Sequence, residues 1–219
     1  MSNQEEIKKL RREYRKGKID FDHTSEDPFD MFKLWWNNAL QQLKHIEINA
    51  CTLATTDKQG QPNARIILLK YFDRSGFSFY TNYESCKGQE IADNPNACLL
   101  FYWKELEQQI RLKGILTKLG RAANERYFSS RPKDSQIGAL ISNQSQPLVN
   151  QQFLEDKFIE TKETYKNKEI ICPQHWGGYS LQPHYYEFWQ GQANRLHQRL
   201  LYQKNNVSNS HWHKVLLYP

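Results

Sequence analysis

The chain has 219 residues, 38% of them hydrophobic and 13% aromatic, and carries 30 Lys and Arg against 24 Asp and Glu, a net charge of +6 at pH 7. That length suffices for a real core, and the positive balance favours anionic partners: nucleic acid, anionic lipid or phosphorylated small molecules. A spanning helix is excluded because no apolar run nears bilayer length, and free thiols in a cytoplasmic protein are expected because Cys51, Cys86, Cys98 and Cys172 form no C-x-x-C pair and the first residues lack a leader-like apolar stretch.

Residues 1–26 are polar, strongly charged and poor in core formers, and are expected to be mobile, or helical only when docked. Within them Leu10-Arg11-Arg12-Glu13-Tyr14-Arg15 is a basic patch whose default reading is a solvated tail. Asp27-Pro28 makes a helix start, a capping carboxylate before a proline whose missing N–H costs nothing in the first turn. Phe32, Trp35, Trp36, Ala39, Leu40 and Leu43 then recur at helical spacing, predicting an amphipathic helix to about His45 with its tryptophans in the core. From residue 49 the period changes. Residues 49–56, 63–72, 77–81, 97–103 and 109–119 read as strands, with turns at Asp57-Lys58-Gln59-Gly60 and Asp73-Arg74-Ser75-Gly76, and only 85–93 among them reads as a helix. Short connections favour antiparallel pairing and a barrel over a doubly wound sheet. Helices over about 121–130, 135–141 and 151–165 follow, then a hairpin and a strand near 212–217. The expected fold is mainly β with peripheral helices (α+β), a single domain over residues 27–219.

The hairpin joins Tyr185-Tyr186-Glu187-Phe188-Trp189-Gln190 to Arg195-Leu196-His197-Gln198-Arg199-Leu200-Leu201-Tyr202 through a Gly191-Gln192-Ala193-Asn194 turn. Period two puts Arg195, His197 and Arg199 on one face, where they repel one another unless water or an anion covers them. An anion site and a solvated edge strand both remain open. Neither G-x-G-x-x-G nor a P-loop occurs, so phosphates must be met by side chains. Arg65 and Lys70 flank the 66–69 segment on opposite faces, Lys87 follows the capping Ser85, and Tyr127 and Arg131 share a helical face with Ser135 just beyond Pro132. Two hydroxyls and a guanidinium converging there would suit a phosphate, although each alone is usually a surface residue. Cys172 and His175 have ligand-like spacing, but no second pair completes a zinc site, and no G-x-S-x-G elbow is present.

The hairpin YEFWQGQANRLHQR, the segment ARIILLKYFD with FYTN shortly after, YFSSRPKDSQIGALISNQS and the N-terminal LRREY together resemble the pyridoxamine 5′-phosphate oxidase family, in order, from about residue 10 to the C-terminus. The resemblance implies an FMN-binding split β-barrel, a homodimer with flavin mononucleotide (FMN) at the subunit interface. It also implies oxidation of pyridoxamine or pyridoxine 5′-phosphate to pyridoxal 5′-phosphate, with oxygen reduced to hydrogen peroxide. By the same likeness Arg65, Ile66, Ile67, Leu68, Leu69, Lys70, Tyr80, Thr81, Lys87, Gln109, Gln144, Ser145, Trp189 and Arg199 hold the flavin. Lys70, Tyr127, Arg131 and Ser135 match a clamp for the substrate phosphate. Arg195 and His197 match the catalytic, reacting end of the substrate site, and Arg11 and Tyr14 a segment that folds over it. Two departures stand out: Cys86 replaces a second cation beside Lys87, and Gln198 replaces a shorter acidic or amide residue and is expected to point away with little effect. A non-catalytic flavin- or pyridoxal-phosphate-binding barrel and a basic nucleic-acid-binding barrel remain as alternatives, the second without any recognisable motif. No metal is expected, and no nucleic acid or membrane partner.

Overall fold

The computed structural model describes residues 3–204 and 211–219. These form helices α1 (Asn3–Lys9), α2 (Pro28–Gln42), α3 (Cys86–Asp93), α4 (Arg121–Ser130), α5 (Lys133–Ile141) and α6 (Gln151–Thr164). The strands are β1 (Ala50–Thr56), β2 (Pro62–Leu68), β3 (Tyr71–Asp73), β4 (Gly76–Asn82), β5 (Asn96–Trp103), β6 (Gln108–Lys118), β7 (Trp176–Gln190), β8 (Gln198–Gln203) and β9 (His213–Leu217). Hydrogen bonding runs in the order β2-β1-β5-β6-β7-β4-β3, with β8 on β7 and β9 on β8. The chain groups into two compact units, residues 1–51, 99–112 and 184–219 in the first, 52–98 and 113–183 in the second. The polypeptide passes between them four times, so no linker or change of composition marks a boundary in the sequence.

In the first unit α2 begins as its residues dictate. Asp27 accepts the N–H of Phe29 at 2.9 Å, and Pro28 takes the first helical position. Phe32, Trp35, Ala39 and Leu43 of the expected stripe are buried, but Trp36 is only half-buried and Leu40 is exposed; Phe32 lies edge-on to Phe101 at 5.6 Å and Trp35 to Phe188 at 5.3 Å. β7 and β8 pair antiparallel from Tyr185↔Gln203 to Gln190↔Gln198. The second arm of the hairpin therefore starts at Gln198 rather than Arg195. Asn194 and Arg195 adopt left-handed φ of 56° and 60°, which turns the chain and ends the alternation. Arg195, His197 and Arg199 thus do not share a strand face, and the expected row of three cations is corrected.

In the second unit β4 pairs with β7 from Phe77↔Leu181 to Asn82↔Trp176. Helices α4 to α6 cover a cluster of Phe128, Ile137, Ile141, Ile170, Cys172 and Trp176. The expected strand 63–72 is broken at Leu69-Lys70, where the Lys70 N–H donates to Ser78 O at 2.8 Å and opens the β3–β4 hairpin. Lys70 is therefore off the strand, and the opposite-face argument for Arg65 and Lys70 fails. Arg131, with ψ of 150°, caps α4 in extended backbone rather than continuing its helical face.

Candidate active site

In the second unit β2, β4 and α3 to α5 wall a cleft of about 690 Å³. It is lined by Ile66, Ile67, Leu68 and Lys70, by Tyr80, Thr81 and Lys87, and by Tyr127, Arg131 and Ser135, with Gln144 and Trp176. Three rings order this lining: Tyr80 stacks on Tyr127 at 3.9 Å and on Trp176 at 5.3 Å. The Arg131 guanidinium lies 4.8 Å from the Trp176 ring centre, a cation–π contact that orients its plane. Its Nη1 is buried with no hydrogen-bond partner among the described residues. Burial also lowers the Arg131 pKa, although a guanidinium keeps its charge. A buried cationic donor left open is costly, and a phosphate oxygen is the acceptor it suits.

Lys87 is set by α3, whose Ser85 caps the Gly88 N–H at 3.3 Å. Its Nζ donates to Gln144 Oε1 at 2.9 Å and Thr81 Oγ1 at 3.3 Å, both neutral oxygens. Burial, then the nearby Arg65 charge, lowers its pKa, so an anion in the cleft would favour its charged form. Arg65 does not line the cleft. Its guanidinium pairs with Glu90 at 2.8 Å and donates to Thr55. Burial works against the Glu90 charge, but hydrogen bonds from Thr55, Asn63, Cys86 and Arg65 together hold its pKa down at about 2. Leu69 is buried outside the cleft wall, and Ser145 is exposed at a left-handed φ of 73°.

The first unit holds a second cleft, about 460 Å³, lined by Leu10 to Tyr14 with Gln192, Asn194, Arg195 and His197. Arg11, Tyr14, Arg195 and His197 are thereby brought together. Tyr14 meets Trp189 edge-on at 5.6 Å and His197 at 5.6 Å. Burial and then Arg195 lower the His197 pKa, favouring the neutral ring. The Gln192 N–H donates to His197 Nδ1 at 3.1 Å, so the ring proton of the neutral form sits on Nε2. His197 is therefore a hydrogen-bond donor toward the cleft, not a free base.

Arg199 is held at 3.0 Å by the buried Glu187, which also pairs with Arg111 and accepts from the Tyr185 hydroxyl at 2.6 Å. Burial raises the Glu187 pKa less than Arg199, Tyr185 and Arg111 lower it, so the carboxylate stays ionised. Arg199 also donates to Tyr218 O at 2.8 Å, and Gln109 sits half-buried on β6. The sequence reading missed Glu90, Glu187 and Trp176. The signal for Glu90 was present, since it falls one helical turn from Cys86 and Lys87; that for Glu187 was its place two residues before Trp189.

Residues 38–165 match the family described as Pyridoxamine 5′-phosphate oxidase, and residues 176–219 the Pyridoxine 5′-phosphate oxidase C-terminal dimerisation region. The chain belongs to the pyridoxamine 5′-phosphate oxidase family. A pyridoxine/pyridoxamine 5′-phosphate oxidase of Leptospira interrogans is 44% identical over 97% of this chain and 98% of its own length. A second, from Hydrogenovibrio crunogenus, is 45% identical over 95% and 96%. The crystal structure of PhzG from Burkholderia lata, in complex with tetrahydrophenazine-1-carboxylic acid, superposes with a TM-score of 0.85 at 29% identity, covering 93% of this chain and all of that one. An FMN-binding protein of Nostoc punctiforme shares the fold, with a TM-score of 0.72 at 17% identity over 90% of this chain. The chain is thus an oxidoreductase of the pyridoxamine 5′-phosphate oxidase family with a split-barrel fold. Among the described residues no three His, Cys, Asp or Glu side chains gather as metal ligands, and no helix is long and apolar enough to cross a membrane.

Proposed function

We propose that the protein oxidises pyridoxamine or pyridoxine 5′-phosphate to pyridoxal 5′-phosphate with FMN as cofactor, as a cytoplasmic homodimer. For the alcohol, two hydrogens leave the substrate and oxygen becomes hydrogen peroxide; for the amine, water also enters and ammonia leaves. The carrying observation is the second unit's cleft, where a half-buried guanidinium with one unbonded nitrogen, Arg131 Nη1, and a lysine held by neutral oxygens offer two separate places for phosphate. Tyr80, Thr81, Lys87 and Gln144 would hold FMN in the cleft, and Lys70, Tyr127, Arg131 and Ser135 the substrate phosphate. Gln109, Trp189 and Arg199 are proposed as further flavin contacts. Bound flavin supplies the two-electron acceptor that protein side chains lack. Clamping the phosphate, remote from the reacting carbon, lets binding energy fix the ring's orientation. Arg195 and the Nε2–H of His197 would hold and polarise the amine or hydroxyl, and Arg11 and Tyr14 exclude water. Arg65 supports the site through Glu90 rather than by direct contact.

An anaerobic absorbance titration tests this. Purified protein should be yellow, pyridoxine 5′-phosphate should bleach it, and admitted oxygen should restore the colour with one peroxide per aldehyde. A flavin spectrum that substrate does not bleach would point to a carrier of the same fold, and a colourless protein whose affinity for nucleic acid falls steeply with salt to neither.

A further inference from the structure

We infer that Glu107 and Gln198 are positioning residues that latch the N-terminal segment against the Arg195 and His197 end of the site; the inference rests on the oxidase reading above. The Glu107 side chain is only 2% exposed, and its charge is directed to the N-terminal segment. Its Oε2 accepts the backbone N–H groups of Arg15 at 2.6 Å and Lys16 at 2.9 Å, and its Oε1 lies 3.6 Å from the Arg12 guanidinium. The same residue, at a left-handed φ of 56°, offers its carbonyl to Gly191 N–H at 2.8 Å. One residue therefore ties the segment to the turn that carries Arg195.

Gln198 makes the second tie. Its Oε1 accepts the N–H of Ile19 at 2.7 Å, and the Ile19 side chain is buried beside it. Gln198, expected only to point away from the face of Arg195, His197 and Arg199 with little catalytic effect, thus has a partner of its own in the N-terminal segment. Just before the first anchor Tyr14 is pressed onto Gly191, where any Cβ would come within 2.7 Å of the Tyr14 Cβ. Residues 11–18 include Arg11, Arg12, Arg15, Lys16 and Lys18, a run of charge that Arg195 repels and that would otherwise stay in water. A buried carboxylate taking two successive backbone amides offsets that repulsion and holds the segment beside the cleft.

Full-length, flavin-loaded wild type, Glu107→Gln and Gln198→Ala are compared by limited trypsin digestion, with cleavage within residues 11–18 read by mass spectrometry, and by steady-state kinetics with pyridoxine 5′-phosphate. Loss of a hydrogen bond to a charged group predicts cleavage about tenfold faster in Glu107→Gln, with a smaller gain in Gln198→Ala. KM should rise by a similar factor in each, with kcat and flavin content changed far less. Cleavage at the wild-type rate in both variants overturns the latch, and faster cleavage with unchanged KM overturns its positioning role. If wild type cuts slowly, the variants cut fast and none oxidises the substrate, the oxidase reading fails and the latch itself stands. Should Glu107→Gln not fold, Gln198→Ala, altered at a half-buried side chain, decides alone.

Discussion

At the scale of single residues the second unit's cleft holds, among the described residues, one buried polar atom left short of a partner. It is the Nη1 of Arg131, buried without an acceptor. Arg131→Met should therefore leave the thermal midpoint unchanged or raised while increasing KM for either phosphorylated substrate by roughly 10- to 100-fold, the worth of one or two charged hydrogen bonds. Differential scanning fluorimetry and initial rates check both halves. His197 behaves differently. The unfolded chain takes up its proton near the ordinary 6.5 and the folded chain only below that, so stability is full above 6.5 and falls as pH drops through it. Because burial is the larger cause and Arg195 the smaller, Arg195→Ala should move the His197 titration, followed by NMR, only part of the way back. Much of this site was legible in advance: Lys70, Tyr127, Arg131 and Ser135 do line one cleft. For Arg65 the sequence shows a cation but not the Glu90 that pairs with it across the helix–strand contact.

Among the elements, the β7–β8 hairpin carries the densest electrostatics. Glu187 is 2% exposed and balances Arg111 and Arg199, which are 30% and 25% exposed. Glu187→Ala removes the carboxylate that both arginines share and should cost about 3 kcal/mol by leaving their charge uncompensated there. Urea unfolding measures that loss, and Glu187→Gln, which keeps the shape and some hydrogen bonds, should lose less. The helical period of α2 was read correctly from residues such as Phe32, Trp35 and Ala39, which are buried, although Leu40 of the same pattern is exposed. The hairpin's second arm was placed too early because alternation cannot reveal that Asn194 and Arg195 turn left-handed. The break at Leu69-Lys70 was hidden for a similar reason: an apolar run looks the same whether or not one residue steps out of register.

For the whole molecule, Trp189, Arg195, His197 and Arg199 all fall within residues 176–219, the region matched to family dimerisation. If assembly and site are one structure, sedimentation should give twice the 26.1 kDa chain mass, about 52 kDa. Dilution into the monomer range should then release flavin with the same midpoint as dissociation. Dimerisation itself had no signature in the residue pattern, since exposed apolar side chains such as Ile66 and Tyr71 look like ordinary surface until a partner is known. The aromatic pile of Tyr80, Tyr127 and Trp176 beneath Arg131 has a further bearing on how the protein can be watched. If the proposed phosphate binds at Arg131, part of the charge above the Trp176 indole is neutralised before any chemistry occurs, and the emission of that ring, one of six tryptophans, should change. Comparing wild type with Trp176→Phe would assign that signal to the arrival of the ligand.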